Sequence, residues 1–219
     1  MKAVDSANWE AREMEFFTSD THFFHEELLQ SNNFAPRPFD FLADEHPAMI
    51  KAWNDRVGET DTVYHLGDIA MVNHVRPARK GHEMIAEILE QLNGHIVIIK
   101  GNHDSRALFK YLAAHNPVLS DGKPKYEFED VGRIIKANHH QFFLTHYPML
   151  FGQTPSSINL HGHIHHTMVA IPENINVGVD STDLDYLMAD ERPVWSTPLN
   201  FNEIETIIQR KHDDFAKWR

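Results

Sequence analysis

His95-Ile96-Val97-Ile98-Ile99-Lys100-Gly101-Asn102-His103-Asp104 is the stretch that decides the fold. Its first five residues are rich in β-branched side chains and have no polar alternation. That pattern belongs to a strand buried on both faces. The run stops at Gly-Asn, a turn-forming pair. It therefore delivers an amide, an imidazole and a carboxylate just past the strand's carboxyl end. Upstream, residues 79–92 place Met84, Ile85, Ile88, Leu89 and Leu92 on one helical face, and Asn93-Gly94 ends that helix. A helix followed at once by a buried strand is the unit of a parallel sheet flanked by helices.

The same alternation extends outward. Residues 15–19 and 62–66 read as strands that end at Asp20 and Gly67-Asp68. Residues 24–30, 43–57 and 105–114 read as helices. After Pro117 the character changes, and 126–128, 133–135, 141–145, 157–160, 168–171 and 175–179 read as short strands. Residues 200–219 read as a terminal helix, with Asn200 and Glu203 as a capping pair and Ile204, Ile207 and Ile208 facing the core. The first half is β-α-β-α-β and the second mostly β, which predicts an α/β protein with two mixed sheets packed together. The expected organisation is one domain over 1–219, with 1–13 as an N-terminal extension.

Composition narrows the chemistry. The 219 residues can bury a core without covalent staples. There is no Cys, which excludes disulfides, thiolate metal sites, Fe–S clusters and a Cys nucleophile. The formal net charge is -12, a poor basis for a general basic binding surface, so an anionic substrate must meet local positive charge. Histidine is in excess at 17 residues, and imidazole is both the commonest metal ligand and the physiological acid–base group. Residues 1–14 lack the pattern of a signal peptide, and no apolar run is long enough to span a membrane. The expectation is a cytoplasmic protein with no membrane partner.

Polar clusters follow the carboxyl ends of five predicted strands: Asp20-Thr21-His22, Gly67-Asp68, Gly101-Asn102-His103-Asp104, Thr145-His146 and Gly162-His163-Ile164-His165. In open α/β sheets this is the edge where sites are built. Taken in order, the five blocks resemble the D-x-H, GD, GNH[DE], H and GHxH pattern of the calcineurin-like metallophosphoesterases. Residues 19–23, Arg37-Pro38-Phe39 and 64–68 further resemble the small bacterial and phage members, which carry no large cap domain. Many members read GDxxD where this chain has Gly67-Asp68-Ile69-Ala70-Met71.

The resemblance implies a four-layer α/β/β/α sandwich and a two-metal centre. Asp20, His22, Asp68 and His165 would hold one ion; Asp68, Asn102, His146 and His163 would hold the other, with Asp68 bridging. Two cations about 3.5–4 Å apart clamp the attacking and leaving oxygens of an in-line displacement. A carboxylate suits the bridge because it has two oxygens and a negative charge. His103 would be the general acid at the leaving group and Asp104 would orient it, with a metal-bridging hydroxide as nucleophile. A donor set of oxygen and nitrogen without thiolate suits Mn or Fe, with Zn, Ni and Co as alternatives.

The implied activity is hydrolysis of a phosphate ester, on a small phosphorylated, nucleotide-like substrate. Alternatives are a nuclease acting on DNA or RNA, a catalytically silent metal-binding regulatory module, and a His-rich metal buffer. The acidic balance disfavours nucleic acid as a partner. Arg37, Arg106 and His25 are candidate substrate contacts; the competing reading for each is a surface salt bridge. His161 and His166 read as supports or rim residues, His65 as packed, His139-His140 as a hairpin turn, and Asp180 as a structural turn residue.

Overall fold

The computed structural model describes residues 13–29, 33–152, 154 and 156–217. Its first sheet has the order β4-β3-β2-β1-β9. It comprises β1 (Glu15–Thr18), β2 (Thr62–His65), β3 (His95–Ile99), β4 (Tyr126–Glu129) and the short antiparallel edge strand β9 (Leu199–Asn200). The second sheet has the order β5-β6-β7-β8, from β5 (Gly132–Ala137), β6 (His140–Thr145), β7 (Ser157–His161) and β8 (Asn174–Asn176). One antiparallel pair, β5 with β6, and two parallel pairs make this sheet mixed as well.

Strand alternation sorts the apolar side chains into two layers. Phe16, Val63, Ile96 and Ile98 meet α1 (Leu42–Asn54), α2 (Ala78–Leu89) and α3 (Arg106–Ala114) through residues such as Met49, Trp53, Ile85, Leu89, Leu108 and Leu112. Their neighbours Phe17, Tyr64, Val97 and Ile99 face the other way, onto Phe142, Leu144, Ile158, Leu160 and Ile175 of the second sheet. This explains the uninterrupted apolar run in β3, every residue of which is buried. The last helix, α4 (Phe201–Ala216), starts on a capping box made by Asn200 and Glu203 and sends Ile204, Ile207 and Ile208 into the second layer. No helix among the described residues is long and apolar enough to cross a membrane.

Three element readings need correction. The segment 24–30 forms only a 3-10 turn at Glu26–Leu28, and Gln30 lies outside the described residues. The segment 168–171 is not a strand. The partner strand β7 ends at His161, and the backbone after it is held by the Asn176 side chain, which donates to the carbonyls of His165 and Thr167 at 2.8 and 3.1 Å. For the same reason β8 is shorter than 175–179, although Gly178 still bridges to Ser19 and ties the two sheets together. The strand β9 has too few residues to show periodicity. Residues 1–12 of the expected N-terminal extension and the last two residues of the terminal helix lie outside the described residues.

Candidate metal centre

Because β1, β2 and β3 are parallel, their carboxyl ends lie along one edge. The loops after β1 and β2 keep pairing beyond the strands. Asp20 N–H donates to the Gly67 carbonyl at 3.0 Å, His22 N–H to Asp68 at 3.1 Å and Phe23 N–H to Ile69 at 2.8 Å. This extended register sets Asp20 and His22 beside Asp68. From the second sheet, β6 delivers His146, and the turn after β7 delivers His163 and His165.

Five of the seven candidate ligands have left-handed backbone: Asp20 (φ 56°), His22 (44°), Asp68 (56°), His163 (72°) and His165 (47°). Such conformations cost about 1–3 kcal/mol each in a non-glycine residue, and they persist where the surroundings over-determine them. His163 and His165, two residues apart, are therefore not on an extended segment. Two glycines leave room for the ligands. A Cβ on Gly162 would lie 2.2 Å from Asp20 Oδ2, and one on Gly101 would lie 2.1 Å from Asp68 Oδ1.

The donors form two clusters, Asp20–His22–His165 and Asp68–His146–His163, each with its ligand atoms within 4.8 Å of one another. Asp68 lies between them, with Oδ2 3.6 Å from His22 Nε2 and 3.4 Å from His146 Nε2. Asn102 joins the second cluster, its Oδ1 2.9 Å from His146 Nε2 and 2.8 Å from His163 Nδ1.

These donors suit bound cations. His22 Nε2 is buried without a hydrogen-bond partner and faces the two carboxylates. Its other nitrogen, Nδ1, lies 3.3 Å from His25 Nδ1. His165 Nδ1 meets Asp180 Oδ2 at 3.1 Å, and His146 Nδ1 meets the Leu66 carbonyl at 2.9 Å. Three imidazoles thus have one nitrogen fixed by the protein and the other turned inward, the arrangement typical of metal-ligating histidines.

Electrostatics separates the two carboxylates. Burial would raise Asp68, but the hydrogen bond and charge of His146, with His22, outweigh it and bring the group to about 2. Fully buried Asp20 is raised by desolvation to about 6, against the pull of His165 and His146. An ion beside Asp20 would supply the positive charge that its burial withholds.

His103 borders both clusters. Its backbone N–H donates to Asp68 Oδ1 at 2.8 Å, and its Nε2 is 4.0 Å from Asp68 Oδ2. Its ring packs edge-on against His22 at 5.3 Å while remaining 34% exposed.

Other sequence readings change. Asp104 does not orient the His103 ring. Its buried carboxylate accepts the backbone N–H groups of Asp68, Ile69 and Gly101 at 2.8–3.1 Å, so it ties the Gly67-Asp68 loop to the Gly101-Asn102 loop. Arg37 cannot reach a substrate. Its side chain is fully buried and donates to the Asp20 and Thr21 carbonyls and to Glu45, with Asp180 at 3.7 Å. Arg106 is exposed and paired with Asp130 at 3.2 Å. His25 stands against His22 instead of at an open contact position, though its ring is within 6.4 Å of His103.

Asp180, expected to be a turn residue, is the partner of His165 and lies near Arg37. Glu45, which holds Arg37, carried no signal in the sequence; it is a lone acid on the buried face of α1. His65 is packed as expected, and His166 Nδ1 meets the Asp180 carbonyl at 3.0 Å.

A family profile described as calcineurin-like phosphoesterase matches residues 16–216. The uncharacterized protein MJ1445 of Methanocaldococcus jannaschii is 36% identical over 145 residues, covering 62% of this chain and 74% of that protein. The Gene 66 protein of Mycobacterium phage L5 is 24% identical over 220 residues, covering 91% and 96%. Among solved structures, the Aquifex aeolicus protein of unknown function AQ665 shares the fold with a TM-score of 0.58 and 22% identity, over 89% of this chain and 99% of that one.

Proposed function

Because the chain belongs to the calcineurin-like phosphoesterase family, we propose that it is a metal-dependent phosphodiesterase acting on a small nucleotide-like substrate. Hydrolysis of phosphoester bonds follows from the family and the paired donor clusters; the substrate and the residue roles are the proposal. The observation that carries it is the sharing of Asp68 between two donor clusters, with the part-exposed His103 beside them.

Asp20, His22, Asp68 and His165 would hold one ion, and Asp68, Asn102, His146 and His163 the other. When bound, two divalent cations would supply activation of the attacking water and neutralisation of the phosphoryl oxygens. The oxygen–nitrogen donor set favours Mn or Fe.

The chain's own residues do the rest. Asp180, the Leu66 carbonyl and His25 hold the imidazoles in orientation. Asp104 fixes the separation of the Asp68 and Asn102 loops. As water's oxygen bonds to phosphorus and the ester bond breaks, His103 gives its ring proton to the departing alkoxide, leaving a phosphomonoester, an alcohol and a neutral imidazole; the proton lost by the attacking water passes to solvent, from which His103 is re-protonated.

His103→Ala should retain its metal content by elemental analysis while kcat on a nucleotide diester falls about 10²–10⁴-fold, the usual share of a general acid. Unchanged turnover in the metal-loaded variant would overturn the role of His103. Absence of turnover by the wild type on phosphomonoesters, phosphodiesters and cyclic nucleotides, with Mn added, would overturn the proposal.

A further inference from the structure

Beside His103, and outside the two donor clusters, the chain forms an open cavity of about 290 Å³. It lies between the loop after β2 and the first turns of α2 and α3. Its wall is apolar: Ala70, Ile85 and Leu108 are buried core residues, and Val72 packs against them. Hydrogen-bonding groups sit among these: Asn73, Arg76, His82, Ser105 and His103 itself. None of its lining residues is acidic, although the chain carries a net charge of -12. His103 is both a lining residue and a neighbour of the metal centre, 5.3 Å from His22 between ring centroids. His103 is therefore shared between the metal centre and this cavity.

We propose that this cavity is the leaving-group subsite and that it takes the nucleoside portion of the substrate. The inference rests on the phosphodiesterase reading above and extends it to the identity of the departing alcohol. The group that receives the proton from His103 must stand next to that residue, and this cavity adjoins it. Apolar walls with a few convergent polar groups suit a flat heterocycle with a hydrogen-bonding edge. The volume lies just below the usual range of ligand pockets, about 300–1,000 Å³, and is of the order of one nucleoside.

Ala78 and Ala107 line the same cavity from exposed positions at the starts of α2 and α3, so larger side chains there enter it without disturbing the core. In the protein loaded with diamagnetic Zn, adenosine and uridine should shift the His103 ring resonances in ¹H–¹³C spectra and leave those of the exposed hairpin residue His139 in place. Glycerol at the same concentration should shift neither. Ala107→Phe and Ala78→Phe should each weaken nucleoside binding at least tenfold, with unchanged metal content and unchanged affinity for inorganic phosphate. Nucleosides that leave His103 unmoved, or that bind both variants as they bind the wild type, would overturn the subsite. Nucleoside binding that meets these criteria without turnover of any diester supports the subsite and removes the hydrolytic reading, so the two failures are distinct.

Discussion

His65 is no ligand, yet its neighbours fix its protonation. Its Nδ1 accepts the Gly67 N–H at 3.2 Å. Its Nε2 lies 2.9 Å from Thr21 Oγ1, whose hydroxyl donates to the Ile69 carbonyl. The ring must therefore be neutral with its proton on Nε2. Complete burial agrees, lowering the group from 6.5 to about 3. Above pH 6.5 the ring is neutral in folded and unfolded chains alike, and its contribution is fully present. Between 6.5 and about 3 the unfolded chain takes up a proton that the folded chain refuses, so stability falls with pH. His65→Leu should be less stable than the wild type at pH 7 but lose less on acidification to pH 4.5, read as urea midpoints. Parallel pH profiles would show that His65 is not the source.

Asp180 makes the complementary case. It accepts from His165 at 3.1 Å and lies 3.7 Å from the buried Arg37 guanidinium. Removing such an outer partner typically costs 10–100-fold in metal affinity. Asp180→Ala should weaken one of two Mn sites by about that factor and spare the other, as read by titration calorimetry. Equal weakening of both sites, or of neither, would contradict the placement of Asp180 on the His165 side alone.

At the scale of elements, α4 is held by its apolar face and by a fully buried ion pair. Lys211 and Asp183 are fully buried with Nζ and Oδ1 2.7 Å apart; Lys211 also donates to the Asn174 carbonyl of β8, and Asp183 Oδ2 accepts the Asn176 N–H. Burial pushes the lysine down and the aspartate up, the directions expected for charges removed from water. Losing one partner strands the other, at about 3–5 kcal/mol. Lys211→Ala should therefore lower unfolding stability by roughly that amount, and more than Ile208→Val, which removes one methylene from the same helix face at about 0.5–1.5 kcal/mol. The pair holds the strand whose continuation carries Asp180, so metal affinity of the His165 cluster should fall in Lys211→Ala as well.

The elements also mark where the sequence was legible. The helix α2 and the strand β3 were readable because their apolar residues repeat with a single period. The ligand blocks were readable because strand-end chemistry stays local: each is a few contiguous residues after a buried run. Glu45 and the true place of Arg37 were not readable, because a buried Arg–Glu pair looks like surface charge until tertiary packing encloses it. Asp104 misled for a related reason. Its position next to His103 in the chain suggested a partnership, but the turn directs its carboxylate to amides 35 and 36 residues earlier. The segment 168–171 had strand composition without a neighbouring strand to complete a ladder.

For the molecule as a whole, the deciding property is charge. Local positive potential at the metal centre comes chiefly from bound cations: Arg37 is consumed in the core, Arg106 pairs with Asp130, and Arg76, on the wall of the neighbouring cavity, donates to the Asn73 and Val75 carbonyls. A nucleic-acid enzyme gains much of its affinity by displacing counterions with Lys and Arg, so its affinity falls steeply with salt, about 10³–10⁵-fold between 50 and 200 mM for 6–10 phosphate contacts. This chain has 20 Lys and Arg against 32 Asp and Glu. Its long-range field repels a polyanion and acts only weakly on a single phosphodiester. Raising NaCl from 50 to 200 mM should therefore change kcat/KM on a dinucleotide by less than about threefold, because only the screened long-range part of a one-charge interaction is lost. On a single-stranded oligonucleotide, added salt should relieve repulsion, so any turnover should rise or stay level. A steep fall on the oligonucleotide would require a cationic track and would replace the small-substrate reading with a nuclease.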